Sequence, residues 1–161
     1  MARADEAVIE RPNRRKASSR LTRLLVVLLL LVSAGLILVV TLGGWDVLQG
    51  AKVLQVAWIA LYVLMALLVA RWKRGVLPVA AALAVVMLIF AAIAGPAWFE
   101  RDKQGFADPA LDASLLGLVT LLIVPVQALL ILVAMHGFRQ AWNVEVERPP
   151  EGTARRLPAT G

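Results

Sequence analysis

Four long apolar runs alternate with short polar segments along the chain. The runs cover residues 24–42, 53–70, 76–95 and 115–135, and none of them contains Asp, Glu, Lys, Arg or His. A hydrocarbon core of ~30 Å needs ~20 helical residues to cross it, and lipid leaves backbone groups to be satisfied within the helix. Helices of soluble proteins usually keep a polar face, which these runs lack. We therefore predict an all-α integral membrane protein, a four-helix bundle over residues 24–135.

The segments between the runs predict how the spans are joined. Residues 71–75 are too short for a domain, so the second and third spans should form a tight antiparallel hairpin. Gly95 and Pro96 should end the third span and leave a longer outer loop over 96–114. The first run exceeds the ~7–15 residues of a signal-peptide core and lacks a small-residue cleavage site after it, so we expect an uncleaved span.

The chain carries 17 Lys and Arg residues, and they are distributed unevenly. Fourteen lie in residues 1–23, 71–75 and 136–161, and three lie in the other two connectors. The positive-inside rule then places both termini in the cytoplasm of a multi-pass plasma-membrane protein, and four spans agree with this orientation. Tryptophans near four predicted span ends favour the same interfaces. They are Trp45, Trp72, Trp98 and Trp142.

The N-terminal segment 1–23 is predicted to be a basic cytoplasmic tail. Each basic residue near an anionic leaflet contributes ~1 kcal/mol of attraction, so membrane lipids are the expected partner. The residues expected to make this contact are Arg14, Arg15, Lys16, Arg20 and Arg23. The net charge of +6 thus indicates a membrane surface, and we expect no nucleic-acid partner. Ser18 follows a basic pair and resembles a kinase site, which leaves phosphorylation open.

The C-terminal segment 136–161 is predicted to have two parts. His136 stands where the last span should end, and the dipole of a helix favours a histidine there. Aromatic and apolar residues up to Val146 suggest a cytoplasmic interfacial segment. Pro149 and Pro150 break any regular element, and the remaining residues have the composition of disorder.

The outer loop 96–114 mixes aromatic and charged side chains. A solvated loop held at the interface by its aromatics explains this composition, and so does a docking surface for another membrane or exported protein. The candidate docking residues are Trp98, Phe99, Arg101, Lys103 and Phe106. The loop carboxylates lack an evident partner base or metal-ligand cluster, so catalysis is not expected there. Asp112 or Ser114 can cap the fourth helix.

Polar residues within the spans are few, and three of them should reach a similar depth. Ser33, Tyr62 and Gln127 each lie near the middle of a predicted span. A polar group that faces hydrocarbon is costly, so these side chains should turn inward and hydrogen-bond one another. We predict a small polar layer in the bundle core, with Tyr62 and Gln127 as the principal pair. A ligand or water site is the alternative.

Composition narrows the possible chemistry. The chain has no cysteine and one histidine, which excludes disulfides, thiol catalysis and a multi-histidine metal site within one copy. The spans lack the embedded charge that usually marks ion coupling or a proton relay. We expect no catalytic residue, no metal and no cofactor.

The chain can be compared with a known class of proteins through its composition and through the stretch from Ala97 to Glu147, which contains the segment GLVTLLIVPVQALLILVAMHGFRQAW. The chain resembles small four-span integral membrane proteins of high-GC actinobacteria. The resemblance implies a bacterial plasma membrane and transfers no activity or functional residue. We expect a non-catalytic accessory, assembly or scaffold subunit of a membrane complex. A small oligomeric transporter or channel is the alternative, with a water path lined by Gln55, Tyr62 or Gln127, and a membrane enzyme on lipid substrates is a third hypothesis. Other membrane proteins or further copies of the chain are the expected protein partners.

Overall fold

The computed structural model describes residues 8–48, 50–101 and 109–148. Four long helices dominate these residues, and each is long and apolar enough to cross a membrane. The elements in chain order are β1 (Val8–Glu10), α1 (Pro12–Arg15), α2 (Ala17–Gly43), α3 (Ala51–Ala70), α4 (Val76–Glu100), α5 (Ala113–Arg139) and β2 (Val146–Arg148). The chain is therefore a helical bundle suited to a multi-pass membrane protein.

The helices extend beyond most of the apolar runs. Helix α2 begins at Ala17, inside the segment predicted to be a tail, and α5 continues to Arg139. The expectation that Gly95 and Pro96 end the third helix is wrong, because α4 continues through Pro96 to Glu100. A proline removes one backbone hydrogen bond, and the burial of Trp98 in the following turn holds the helix together.

The helices pack in the order α3, α2, α5, α4. The most extensive contact joins α4 and α5, and α2 lies against both α3 and α5. Helices α3 and α4 are joined by a short turn but touch little along their length. The tight hairpin expected for this pair is therefore wrong, and the bundle is open on the side between α3 and α4.

Small residues explain why α4 turns toward α5. Ala80, Ala84, Ala91 and Gly95 recur on one face of α4, and all four are buried. A Cβ atom added at Gly95 would lie 2.5 Å from Cδ2 of Leu121 on α5. Small side chains allow this close approach between helices. They leave α3 to pack against α2 on the other side of the bundle.

The two terminal segments meet at one end of the bundle. Strand β1 pairs antiparallel with β2, with Ile9 opposite Glu147. The segment around residue 141 has a left-handed turn, since Ala141 has a φ of 49°. The described parts of both predicted tails, residues 8–23 and 136–148, thus adopt defined structure. The predicted disorder of residues 149–161 lies outside the described residues.

Candidate functional site

A hydrogen-bonded polar layer lies in the centre of the bundle. The hydroxyl of Tyr62 on α3 donates to Oε1 of Gln127 on α5 over 2.8 Å. Nε2 of Gln127 then donates to Oγ of Ser33 on α2 over 3.0 Å. All three residues are fully buried. The structure therefore brings together the three residues that the sequence placed at similar depth.

The direction of the donors shows how the layer is satisfied. The hydroxyl of Ser33 accepts from Gln127 and donates to the carbonyl oxygen of Leu29 over 2.7 Å. The hydroxyl protons of Tyr62 and Ser33 and one amide proton of Gln127 thus have acceptors, and the chain of bonds ends on a helix carbonyl. Because the partners are one another and the backbone, none of these bonds requires a ligand.

A second polar contact joins α2 and α3, closer to the end of the bundle that lies away from the termini. Oγ1 of Thr41 lies 2.6 Å from the carbonyl oxygen of Ile37 and 2.6 Å from Oε1 of Gln55. A hydroxyl has a single proton, so Thr41 donates to one of these two oxygens at a time. Gln55 therefore ties α3 to α2 and also borders the open side of the bundle.

An apolar groove of about 510 Å³ occupies the open side between α3 and α4. It begins beside Arg101, at the end of the bundle away from the termini, and reaches Met87 near the middle of α4. Trp58 of α3 and Phe90 of α4 line its deep part, with ring centroids 6.1 Å apart in an edge-to-face arrangement. Helices α2 and α5 form its floor through Ile37, Val40, Thr120 and Ile123.

Trp58 differs from the other polar residues of this groove in its hydrogen bonding. The residue is 8% exposed, and its Nε1 is close to the Tyr62 side chain but makes no well-formed hydrogen bond among the described residues. Thr120 lines the same groove, but its hydroxyl donates to the carbonyl oxygen of Leu116 over 2.7 Å. The groove therefore has mostly apolar walls, and its polar side chains other than Trp58 make hydrogen bonds or, like Arg101, lie at the mouth.

The structure separates the candidate docking residues. Trp98 is 6% exposed, and its ring packs against Gly44, where an added Cβ would lie 2.7 Å from Cη2. Phe99 is 39% exposed and covers Gly117 of α5. The guanidinium of Arg101 lies 5.6 Å from the centroid of the Trp98 ring. Lys103 and Phe106 lie outside the described residues. Among the described candidates, Phe99 and Arg101 are accessible to a partner, and Trp98 is a core residue.

Aromatic and basic side chains close the end of the bundle that carries the termini. Trp142 is fully buried and stacks edge-on against Trp72, with centroids 5.3 Å apart. Nε1 of Trp142 donates to Gln140, whose amide donates to Thr22 at the start of α2. Trp142 therefore fastens the C-terminal segment to α2 as part of the core.

Two of the cations expected to bind lipid take part in this closure. The guanidinium of Arg23 lies 4.3 Å from the Trp72 ring centroid and donates to the carbonyl oxygen of Ala70 over 3.0 Å. Arg14 donates to Asn143 over 2.9 Å. Arg15, Lys16 and Arg20 are exposed. Nη1 of Arg15 lies 4.0 Å from Oε1 of Glu10. The lipid-binding prediction therefore rests mainly on these last three residues.

Sequence reasoning missed both the groove and the terminal closure. Nothing in the apolar runs indicates that α3 and α4 diverge. The alanine spacing of α4 indicates that this helix makes a close contact, but it does not say with which helix. Comparisons with protein-family models, curated proteins and solved structures found no match. Within the described residues, no group of three or more His, Cys, Asp or Glu side chains could hold a metal ion.

Proposed function

We propose that this protein is a non-catalytic accessory, assembly or scaffold subunit of a bacterial plasma-membrane complex, with both termini in the cytoplasm. The observation that carries the proposal is the central polar layer. Ser33, Tyr62 and Gln127 satisfy one another and fill the bundle centre. A function that acts through the surface of the bundle fits such an interior better than one that acts through its centre.

The surface opposite the termini is the proposed contact with a partner. Phe99 is exposed there above Gly117, and Arg101 is exposed beside it. Aromatic residues and arginine are enriched at protein interfaces, where they often dominate the binding energy. The alternative, a small oligomeric transporter or channel, requires a path between copies, because Tyr62 and Gln127 are used within one copy.

Purification from native membranes in a mild detergent tests the proposal. We expect a foreign membrane protein at a constant stoichiometric ratio, and we expect Phe99→Ala to reduce that ratio. Leu132→Ala is the matched control, since Leu132 is an exposed apolar residue of α5 far from Phe99 along the helix axis. Recovery of the chain alone would contradict the proposal, and a pure homo-oligomer would favour the transporter alternative.

The orientation has its own test. Alkaline phosphatase is active only after export, so a fusion after Lys103 should be active. Fusions after Arg74 or Arg148 should be inactive, because the excess of basic residues on that side favours the cytoplasm. Activity at Arg148 together with silence at Lys103 would reverse the proposed orientation.

A further inference from the structure

The groove between α3 and α4 has the length of one membrane leaflet. Fourteen residues separate Met87 from Arg101, which at 1.5 Å per residue is ~21 Å along α4. Half of a bilayer, including its headgroup region, is ~20–22 Å thick. The groove starts at the end of the helix bundle and stops near its middle, so its extent matches a molecule of one leaflet.

The volume of the groove is that of a small-molecule pocket rather than that of a whole spanning helix. A helix ~10 Å across occupies ~420 Å³ per turn, and it needs more than five turns to cross a bilayer. The groove holds about 510 Å³, which is little more than one such turn. Pockets for small molecules have volumes of ~300–1,000 Å³. A narrow flexible chain therefore fits within the groove, whereas a whole helix would extend well beyond it.

The chemistry of the walls changes along the groove. The deep part is lined by Trp58, Met87 and Phe90, which suit an alkyl chain. At the mouth stands Arg101, an exposed guanidinium that lies near the Trp98 ring. The guanidinium of Arg101 at the mouth can pair with a phosphate group in bidentate fashion.

We propose that this groove binds one anionic phospholipid of the leaflet opposite the termini. An acyl chain lies between α3 and α4 down to the Trp58–Phe90 pair, and the phosphate lies against Arg101. Because the groove is open on the side between the two helices, the lipid enters laterally from the bilayer. This inference shares Arg101 with the partner surface proposed above, but it concerns lipid and does not require a protein partner.

Native mass spectrometry of the full chain tests the proposal after reconstitution in nanodiscs. The nanodiscs contain equal amounts of phosphatidylglycerol and phosphatidylcholine with identical acyl chains. The wild-type chain should retain one phosphatidylglycerol after release from the disc. Ala94→Phe fills the groove and should reduce that retained lipid about tenfold. Ala92→Phe is the matched control, because Ala92 is an exposed residue of α4 that does not line the groove, and it should bind like the wild type.

Two further variants provide a substitute for Ala94→Phe and a test of the headgroup contact. Ala97→Leu fills the groove nearer its mouth and gives the same comparison if Ala94→Phe does not yield a folded protein. Arg101→Gln should keep a bound lipid but lose the preference for phosphatidylglycerol over phosphatidylcholine. The proposal is overturned if the wild type retains no lipid, if Ala94→Phe and Ala92→Phe retain it equally, or if a peptide occupies the site. An unchanged preference in Arg101→Gln overturns the assignment of the phosphate.

Discussion

The polar layer makes a quantitative prediction about coupling between α3 and α5. Tyr62→Phe removes the hydroxyl that donates to Gln127 over 2.8 Å and leaves Oε1 of Gln127 buried without a donor. A buried group left unsatisfied costs ~1–3 kcal/mol. Gln127→Leu removes the bonds to both Tyr62 and Ser33, so it should cost more than Tyr62→Phe.

The energy of the Tyr62–Gln127 pair itself is smaller than either single effect. Hydrogen bonds between membrane helices average ~0.6 kcal/mol in double-mutant cycles and reach ~1.7 kcal/mol. The pair is fully buried and its bond has the ordinary length of an O–H···O hydrogen bond, so we expect a coupling energy of about 1 kcal/mol. The four free energies of unfolding are to be measured in bicelles for the wild type, both single variants and the double variant.

A parallel cycle provides the control. Thr120 lies on the same buried face of α5, and its hydroxyl bonds only within its own helix, to Leu116. It is seven residues from Gln127, or ~10 Å along the axis. Tyr62→Phe and Thr120→Val should therefore add within ~0.3–0.5 kcal/mol. If the Tyr62–Gln127 coupling is no larger than this control, the layer does not join the two helices energetically.

Three further predictions concern other parts of the fold. Gly44→Ala should lower the free energy of unfolding by about 1–3 kcal/mol, because the added Cβ would clash with the buried indole of Trp98. Gly35→Ala should raise the free energy of unfolding by up to ~1 kcal/mol, because nothing lies near the added Cβ and alanine favours a helix. Thermal unfolding of the two variants measures both effects. Arg23→Lys should cost ~0.5–1 kcal/mol through lost stacking on Trp72, and the exposed Arg20→Lys should cost nothing measurable in the same assay. Hydrogen bonds from the Ser114 side chain and from the Leu115 and Ser114 backbone lower the pKa of Asp112, so stability should decline as the pH falls below about 4, and Asp112→Asn should abolish that decline in an acid titration.

Local sequence properties determined the helices and the depth of their polar residues. An uncharged apolar run of about twenty residues has one stable backbone conformation in lipid, so the four helices follow from composition. The position of Ser33, Tyr62 and Gln127 along their runs fixes their depth, because the rise of a helix is constant. Of the two capping candidates, Asp112 and Ser114, the structure selects Asp112, whose side chain accepts from the backbone amides of Ser114 and Leu115.

Only the tertiary structure decided which helices touch. The short sequence between α3 and α4 favoured a hairpin, and the apolar faces of these two helices are chemically alike. In the structure, the small residues of α4 instead permit close packing against α5. That choice opened the groove and placed Arg101 at its mouth. The burial of Trp98 and Trp142 likewise depends on partners distant in sequence, Gly44 and Trp72 among them, and local patterns of hydropathy carry no information about such pairs.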